Sequence, residues 1–250
     1  IMEHKIIHWF AFGAILLLLL GIFYSMGAKD ITVTTNVVNK ISVSGDAETE
    51  VMPDEVVIRL SVVTEGKEAE SVQNENANKM NGGGGGLKKV GIKEDEIETT
   101  GYNLYPWKEY DYNLRKQIDK GYRLSQTITL TTSDVDKTGE YLSVAVKNGI
   151  NQVDNVNFQL SDELENQVKD ALVAEATTNA KEKAKTLAEN LEIKVGKAIS
   201  VSETNYNVPR YYAGGFGETD EMAVMAEAAP KINAENVEVT LRINVDFAID

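Results

Sequence analysis

Residues 237–249 read VEVTLRINVDFAI. Val237, Val239, Leu241, Ile243, Val245, Phe247 and Ile249 alternate with Glu238, Thr240, Arg242, Asn244 and Asp246, so a strand here turns its apolar side chains to one face. One buried face and one wet face is the pattern of an antiparallel or mixed sheet. Strands of a doubly wound parallel sheet are covered on both faces and read as continuous apolar runs. The last strand therefore sets the class.

Working outward, the same alternation recurs in Asp54–Glu65, where Val56, Ile58, Leu60 and Val62 share a face. Ile41–Glu48 (ISVSGDAE) reads as a strand with a turn at Gly45-Asp46. Glu94–Thr100 leads into a strand through Tyr105, expected to return as Tyr122–Thr132 in a long hairpin. Val153–Leu160 and Lys197–Thr204 add two more strands. Three segments have helical spacing instead: Lys67–Val90, Asp134–Asn148 (closed by Gly149) and Ser161–Leu191. In the last, Leu164, Val168, Leu172, Ala176, Ala180, Ala184, Leu187 and Leu191 recur at spacings of three and four. Asp162, Glu163 and Glu165 open it and Lys181, Lys183 and Lys185 approach its end, each sign opposing the helix dipole. A strand–helix–strand pattern occurs twice, around Lys67–Val90 and around Asp134–Asn148. The expected fold is α+β, with mixed or antiparallel sheets, helices packed on one face, and two related strand–helix–strand halves.

Gly82–Gly86 interrupts the first helical pattern with five consecutive glycines. Each weakens a helix interior by about 1 kcal/mol relative to Ala. A phosphate loop is excluded, because Leu87 precedes Lys88, no Ser or Thr follows and no strand leads in. The run reads as inserted or placeholder residues, ahead of a flexible break, and not as chemistry.

The 250-residue chain has a formal net charge of −14, from 39 acids and 25 bases, which repels phosphate backbones and argues against a nucleic-acid partner. It has no cysteine, which excludes disulfides, a thiol nucleophile and Cys-based metal sites. Its two histidines, His4 and His8, lie beside the N-terminal segment, leaving none for a triad or metal site in the main domain. Glu94, Asp95, Glu96 and Glu98 lack calcium-loop spacing and read as a solvated surface. There is no G-x-S-x-G elbow. No catalytic residue, cofactor, metal or small-molecule substrate is assigned.

Ile6–Tyr24 (IIHWFAFGAILLLLLGIFY) carries no formal charge and, as a helix, spans about one hydrocarbon core. Trp9 and Tyr24 suit the headgroup zones at its ends, while Ile6 and Leu18 belong to the lipid-facing run. Ser25-Met26-Gly27-Ala28 offers small residues for cleavage of a leader, yet the apolar run is long for a signal peptide, so a retained single-pass anchor in membrane lipid is favoured. The expected organisation is an anchor or uncleaved leader over 1–28, a tether over 29–40 and one domain over 41–250, held outside the membrane.

Two aromatic stretches stand out. Tyr102–Tyr112 contains Tyr105, Trp107 and Tyr110, and the long segment Asn205–Asn233 contains Tyr211, Tyr212, Phe216, Met222 and Met225. Cross-strand pairing and core packing are the plain readings; contact with another subunit or partner is the functional one.

In order and spacing, ISVSGDAETEVMPDEVVIRLSV (Ile41–Val62), LKKVGIKEDEIETTGYNLYP (Leu87–Pro106), GYRLSQTITLTT (Gly121–Thr132), ALVAEATTNAKEKAKTLAENLEIKVGKAISVSET (Ala171–Thr204) and ENVEVTLRINVDFAI (Glu235–Ile249) resemble the SIMPL-domain family of YggE-like envelope proteins. The resemblance implies an α+β fold, export to the periplasm or cell surface, no known catalytic residues, and ring- or channel-like homo-oligomers. Some members of that family are linked to stress defence. The glycine run departs from its pattern, which continues the helix there. The expected function is a non-catalytic, membrane-tethered homo-oligomer of the envelope. The alternative is a monomeric module that captures a glycan, peptide or protein through the Tyr/Trp-rich hairpin.

Overall fold

The chain was analysed as a computed structural model, which describes residues 39–209, the backbone of 211–212, and residues 231–250. Eight strands and three α-helices follow the alternations and helical spacings of the sequence. They are β1 (Lys40–Val51), β2 (Glu55–Gly66), α1 (Ala69–Lys89), β3 (Ile97–Asp111), β4 (Lys116–Thr132), α2 (Thr138–Lys147), β5 (Gln152–Gln159), α3 (Asp162–Asn190), β6 (Val195–Asn207), β7 (Tyr211–Tyr212) and β8 (Val237–Ile249). Lys40–Asp250 forms one compact unit.

The strands make two separate sheets with orders β3-β4-β2-β5-β7 and β1-β8-β6. Every strand pair in both is antiparallel, which settles the choice between mixed and antiparallel. In the larger sheet β2-α1-β3 and β4-α2-β5 are the two expected strand–helix–strand halves. Each half leaves room for a strand of the other, giving the split β-α-β-β-α-β arrangement. The third helix belongs to neither half. It covers β1 and β8 of the smaller sheet, so the helices serve two sheets rather than a face of one.

Each sheet has its own core. Val56, Ile58, Leu60 and Val62 of β2 pack with Leu130, Tyr141, Leu142, Val156 and Phe158 under the first two helices. Val239, Leu241, Ile243 and Val245 of β8 pack with Leu172, Ala176, Ala180 and Ala184 of α3. Each large aliphatic side chain fully buried in this way contributes roughly 2 kcal/mol. Asn151 extends β5 with its side chain: Oδ1 accepts from Val63 N (2.8 Å) and Nδ2 donates to Val63 O (2.7 Å), as a paired strand would. The start of α3 is tied to the β1–β2 link, since Asp54 accepts from Ser161 N and Oγ, both at 2.7 Å, while Ser161 caps Leu164 N.

Two local expectations are corrected. β1 runs straight through Gly45-Asp46 with no turn, paired with β8 from Lys40↔Ala248 to Val51↔Val237. Gly45 is there because α3 lies directly on it: a Cβ would fall on the carbonyl oxygen of Ala176 and 2.9 Å from Ala180 Cβ. The five glycines likewise continue α1 as regular helix, with Gly83 and Gly86 buried against α2 and the turn after it. Among the described residues no helix is long and apolar enough to cross a membrane. The expected anchor and tether, with Ile6, Trp9, Leu18 and Tyr24, lie outside the described residues up to Asn39.

Candidate interaction site

The hairpin of β3 and β4 outgrows the sheet that carries it. Its neighbour β2 ends at the pair Gly66↔Tyr122, so Trp107–Gly121 continues as a two-stranded ribbon. Five residues of β3 beyond that point project about 17 Å. The ribbon is twisted by a bulge at Trp107/Lys108, opposite Gly121 at φ 103, whose missing Cβ leaves space for the Gly66 carbonyl. Asp119 Oδ1 accepts from Gly121 N at 2.8 Å and braces the bend. At the tip Asp111 Oδ1 accepts from Asn113 N (2.8 Å) and Leu114 N (2.9 Å), and Arg115 takes a left-handed φ of 48.

Tyr105, Trp107 and Tyr110, the aromatic residues singled out in the sequence, all lie on β3 of this hairpin. Tyr105 pairs with Arg123, whose guanidinium lies 5.8 Å from the Trp107 ring centroid and 3.2 Å from Glu65 Oε1. Tyr110 meets Tyr112 edge to face, with centroids 5.2 Å apart. Lys120 bridges to Glu109 across the strands at 2.7 Å, and that contact raises the lysine's pKa. A two-stranded ribbon is marginal alone, and these pairs brace it. Toward the tip the apolar surface becomes bare: Tyr112 is 84% exposed and Leu114 59%. The sequence flagged the aromatics. Leu114 was missed, although an aliphatic residue beside Asn113 in a turn is itself a signal.

Of the residues singled out in the second aromatic stretch, the described part is the backbone of Tyr211 and Tyr212. The backbone of Tyr211 and Tyr212 pairs with Phe158 and Asn157 of β5, at the far edge of the same sheet. Phe216, Met222 and Met225 lie outside the described residues.

A concave feature complements the ribbon. A cleft of about 540 Å³ opens between the β1–β2 link (Met52, Pro53, Asp54), the segment Ser133–Lys137 and Ile232–Ala234. Met52 is 55% exposed at its rim. Asp134 accepts from Lys137 Nζ and Tyr141 Oη, each at 3.0 Å, and these bonds hold its carboxyl below the usual range. Burial, with the Asp134 bond second, raises the Tyr141 phenol.

Two of the sheet edges, β3 and β6, are poor contact surfaces. β3 carries Pro106 and two bulges, and β6 carries three register shifts, features that discourage edge-to-edge pairing. Among the described residues no group of three or more His, Cys, Asp or Glu side chains is placed to hold a metal. Ser61 is 2% exposed, with its hydroxyl hydrogen-bonded to Asp154 and Thr127.

A split β-α-β-β-α-β sheet joined to a helix-covered three-stranded sheet, with a projecting aromatic ribbon, defines a class of α+β domain. The SIMPL family, described as a protein of unknown function (DUF541), matches residues 41–247, and the chain belongs to it. It is similar to the 26 kDa periplasmic immunogenic protein of Brucella melitensis biotype 1, at 28% identity over 84% of each chain. It is also similar to the uncharacterized protein YggE of Escherichia coli K12, at 25% identity over 84% of this chain and 80% of the relative.

Proposed function

We propose that this chain is a non-catalytic, membrane-tethered protein of the extracytoplasmic space that assembles with copies of itself into a ring- or cage-like envelope structure with a structural or stress-protective role. The observation that carries self-assembly is the hairpin and its projecting ribbon, which hold Tyr105, Tyr110, Tyr112 and Leu114 in water on a well-braced scaffold. Solvated aromatics at fixed positions suit protein contacts, because they bury much area with little loss of side-chain freedom. Location rests on the periplasmic relative and on the uncharged run Ile6–Tyr24. Tethering and assembly belong together, since an anchor raises the local concentration of copies.

Light scattering in detergent, on the full chain and on one lacking Ile1–Ala28, tests the assembly. A mass of several subunits is expected for the full chain; a monomer in both conditions would overturn it. The second reading, a monomeric module for a glycan, peptide or protein, is favoured by the Tyr105–Trp107–Arg123 grouping. It fails if Tyr105→Ala with Trp107→Ala leaves capture of cell-wall glycan or envelope proteins unchanged.

A further inference from the structure

The tip of the ribbon and the cleft beside Met52 are opposite in shape and in charge. The tip is convex and bears Tyr112 and Leu114 with Arg115 and Lys116, neither of which has an ion-pair partner among the described residues. Asp111 at the same turn is engaged with backbone amides. The cleft is concave, lined by Met52, Pro53, Val135 and Ile232, and carries Asp54, Asp134 and Asp136 against Lys137. Its size lies within the range of ordinary binding pockets, about 300–1,000 Å³. Asp136 is exposed and has no hydrogen-bond or ion-pair partner among the described residues.

We infer that the ribbon tip of one copy seats in the Met52–Asp136 cleft of a second copy. This rests on the self-assembly proposed above and adds its geometry. Two chains of net charge −14 repel each other overall, and bringing a basic tip to an acidic cleft is an approach that attracts. Leu114 and Tyr112 lose water against Met52, Val135 and Ile232, while Lys116 and Arg115 come to Asp136 and Asp134. Tip and cleft are different surfaces, so the contact is head-to-tail. The joined pair keeps one free tip and one free cleft, and repetition closes a ring or extends a filament.

The test uses the full chain in detergent. Tyr112→Ser with Leu114→Ser, Lys116→Glu, and Asp136→Lys are all exposed changes, and unaltered circular dichroism controls for folding. Each is expected to reduce the scattering mass to that of a monomer or to weaken association at least about tenfold. Lys116→Glu combined with Asp136→Lys is expected to restore the parental mass. Mixing the Tyr112→Ser/Leu114→Ser chain with the Asp136→Lys chain is expected to give a two-subunit species and nothing larger, because only one tip and one cleft remain competent. An assembled parent whose tip and cleft variants keep its mass would overturn this contact and leave self-assembly standing. A monomeric parent would overturn both.

Discussion

Gly45 shows how a single missing methyl group can position a helix. β1 and α3 meet where a Cβ at Gly45 would overlap the Ala176 carbonyl, and Asn179 Nδ2 and Lys183 Nζ bond the carbonyls of Asp46 and Ser44, both at 2.8 Å. Gly45→Val should lift α3 and destabilise the domain by about 1–3 kcal/mol or more, the usual effect of overpacking. Urea unfolding would measure it, with a fall in Tm of about 3–10 °C. Titration gives a second prediction at this scale. Asp134 and Asp246 are held below the ordinary aspartate range, Asp134 by Lys137 and Tyr141 and Asp246 by Lys40 and Ser42. A carboxylate depressed in the folded state stabilises above its unfolded pKa, and that contribution is lost as pH falls below about 4. Tyr141 is raised in the folded state, so its contribution is lost as pH climbs above about 10. In a Tm–pH profile, Asp134→Asn should flatten the acid limb and Tyr141→Phe the alkaline limb. The glycine was read as a turn because a lone Gly-Asp pair has that local meaning; only a helix from more than a hundred residues away gives it the other.

At the scale of the element, α1 holds its helix through five residues that each disfavour one. Gly84 and Gly85 face open space, while a Cβ at Gly82 would overlap the Asn148 carbonyl and one at Gly83 would lie 2.7 Å from Ile150 Cγ1. Gly84→Ala with Gly85→Ala should therefore stabilise by about 1 kcal/mol per residue. Gly82→Ala should destabilise despite the same gain in propensity. Denaturant melts, with amide exchange across Ala69–Lys89, would separate the two; destabilisation by the open pair would contradict this account. Propensity gave the right cost for the run and missed the outcome, because helix stability in a folded domain comes mainly from its packed face. Val72, Asn76, Met80 and Leu87 supply that face. The strands were more legible. Alternation along β2, β4 and β8 told which side of each was buried, because a strand repeats every two residues and any slip would expose the core. β6 broke the rule: apart from Val195 and Tyr206 it is exposed on both faces, with Val201 63% exposed, since α3 is displaced toward β1 and β8.

Over the whole molecule, the sequence suggested mixed or antiparallel sheets with helices on one face, and the structure has two sheets with separate cores, each covered by its own helices. Local pattern states that a strand has a buried side but not which sheet it joins. β1 and β2 are three residues apart and enter different sheets, whereas β1 and β8 lie at opposite ends of the domain and pair throughout. Assembly, tested by scattering mass and by the tip and cleft variants, belongs to this scale as well, since both surfaces exist only once distant segments have met. Met52, Asp136 and Ile232 are far apart in the chain and have nothing in common until they line one cleft. By itself, then, the sequence determined the α+β class, the exclusion of a doubly wound parallel sheet, the long hairpin and membership of the SIMPL family, because each depends on side-chain periodicity or on the order of motifs along the chain. Only the tertiary structure decided the division into two sheets, the use of Gly45 as a seat for α3, and the lining of one cleft by Met52, Asp136 and Ile232. Those depend on which surfaces come close in space, and closeness between distant residues is set by the packing of whole elements.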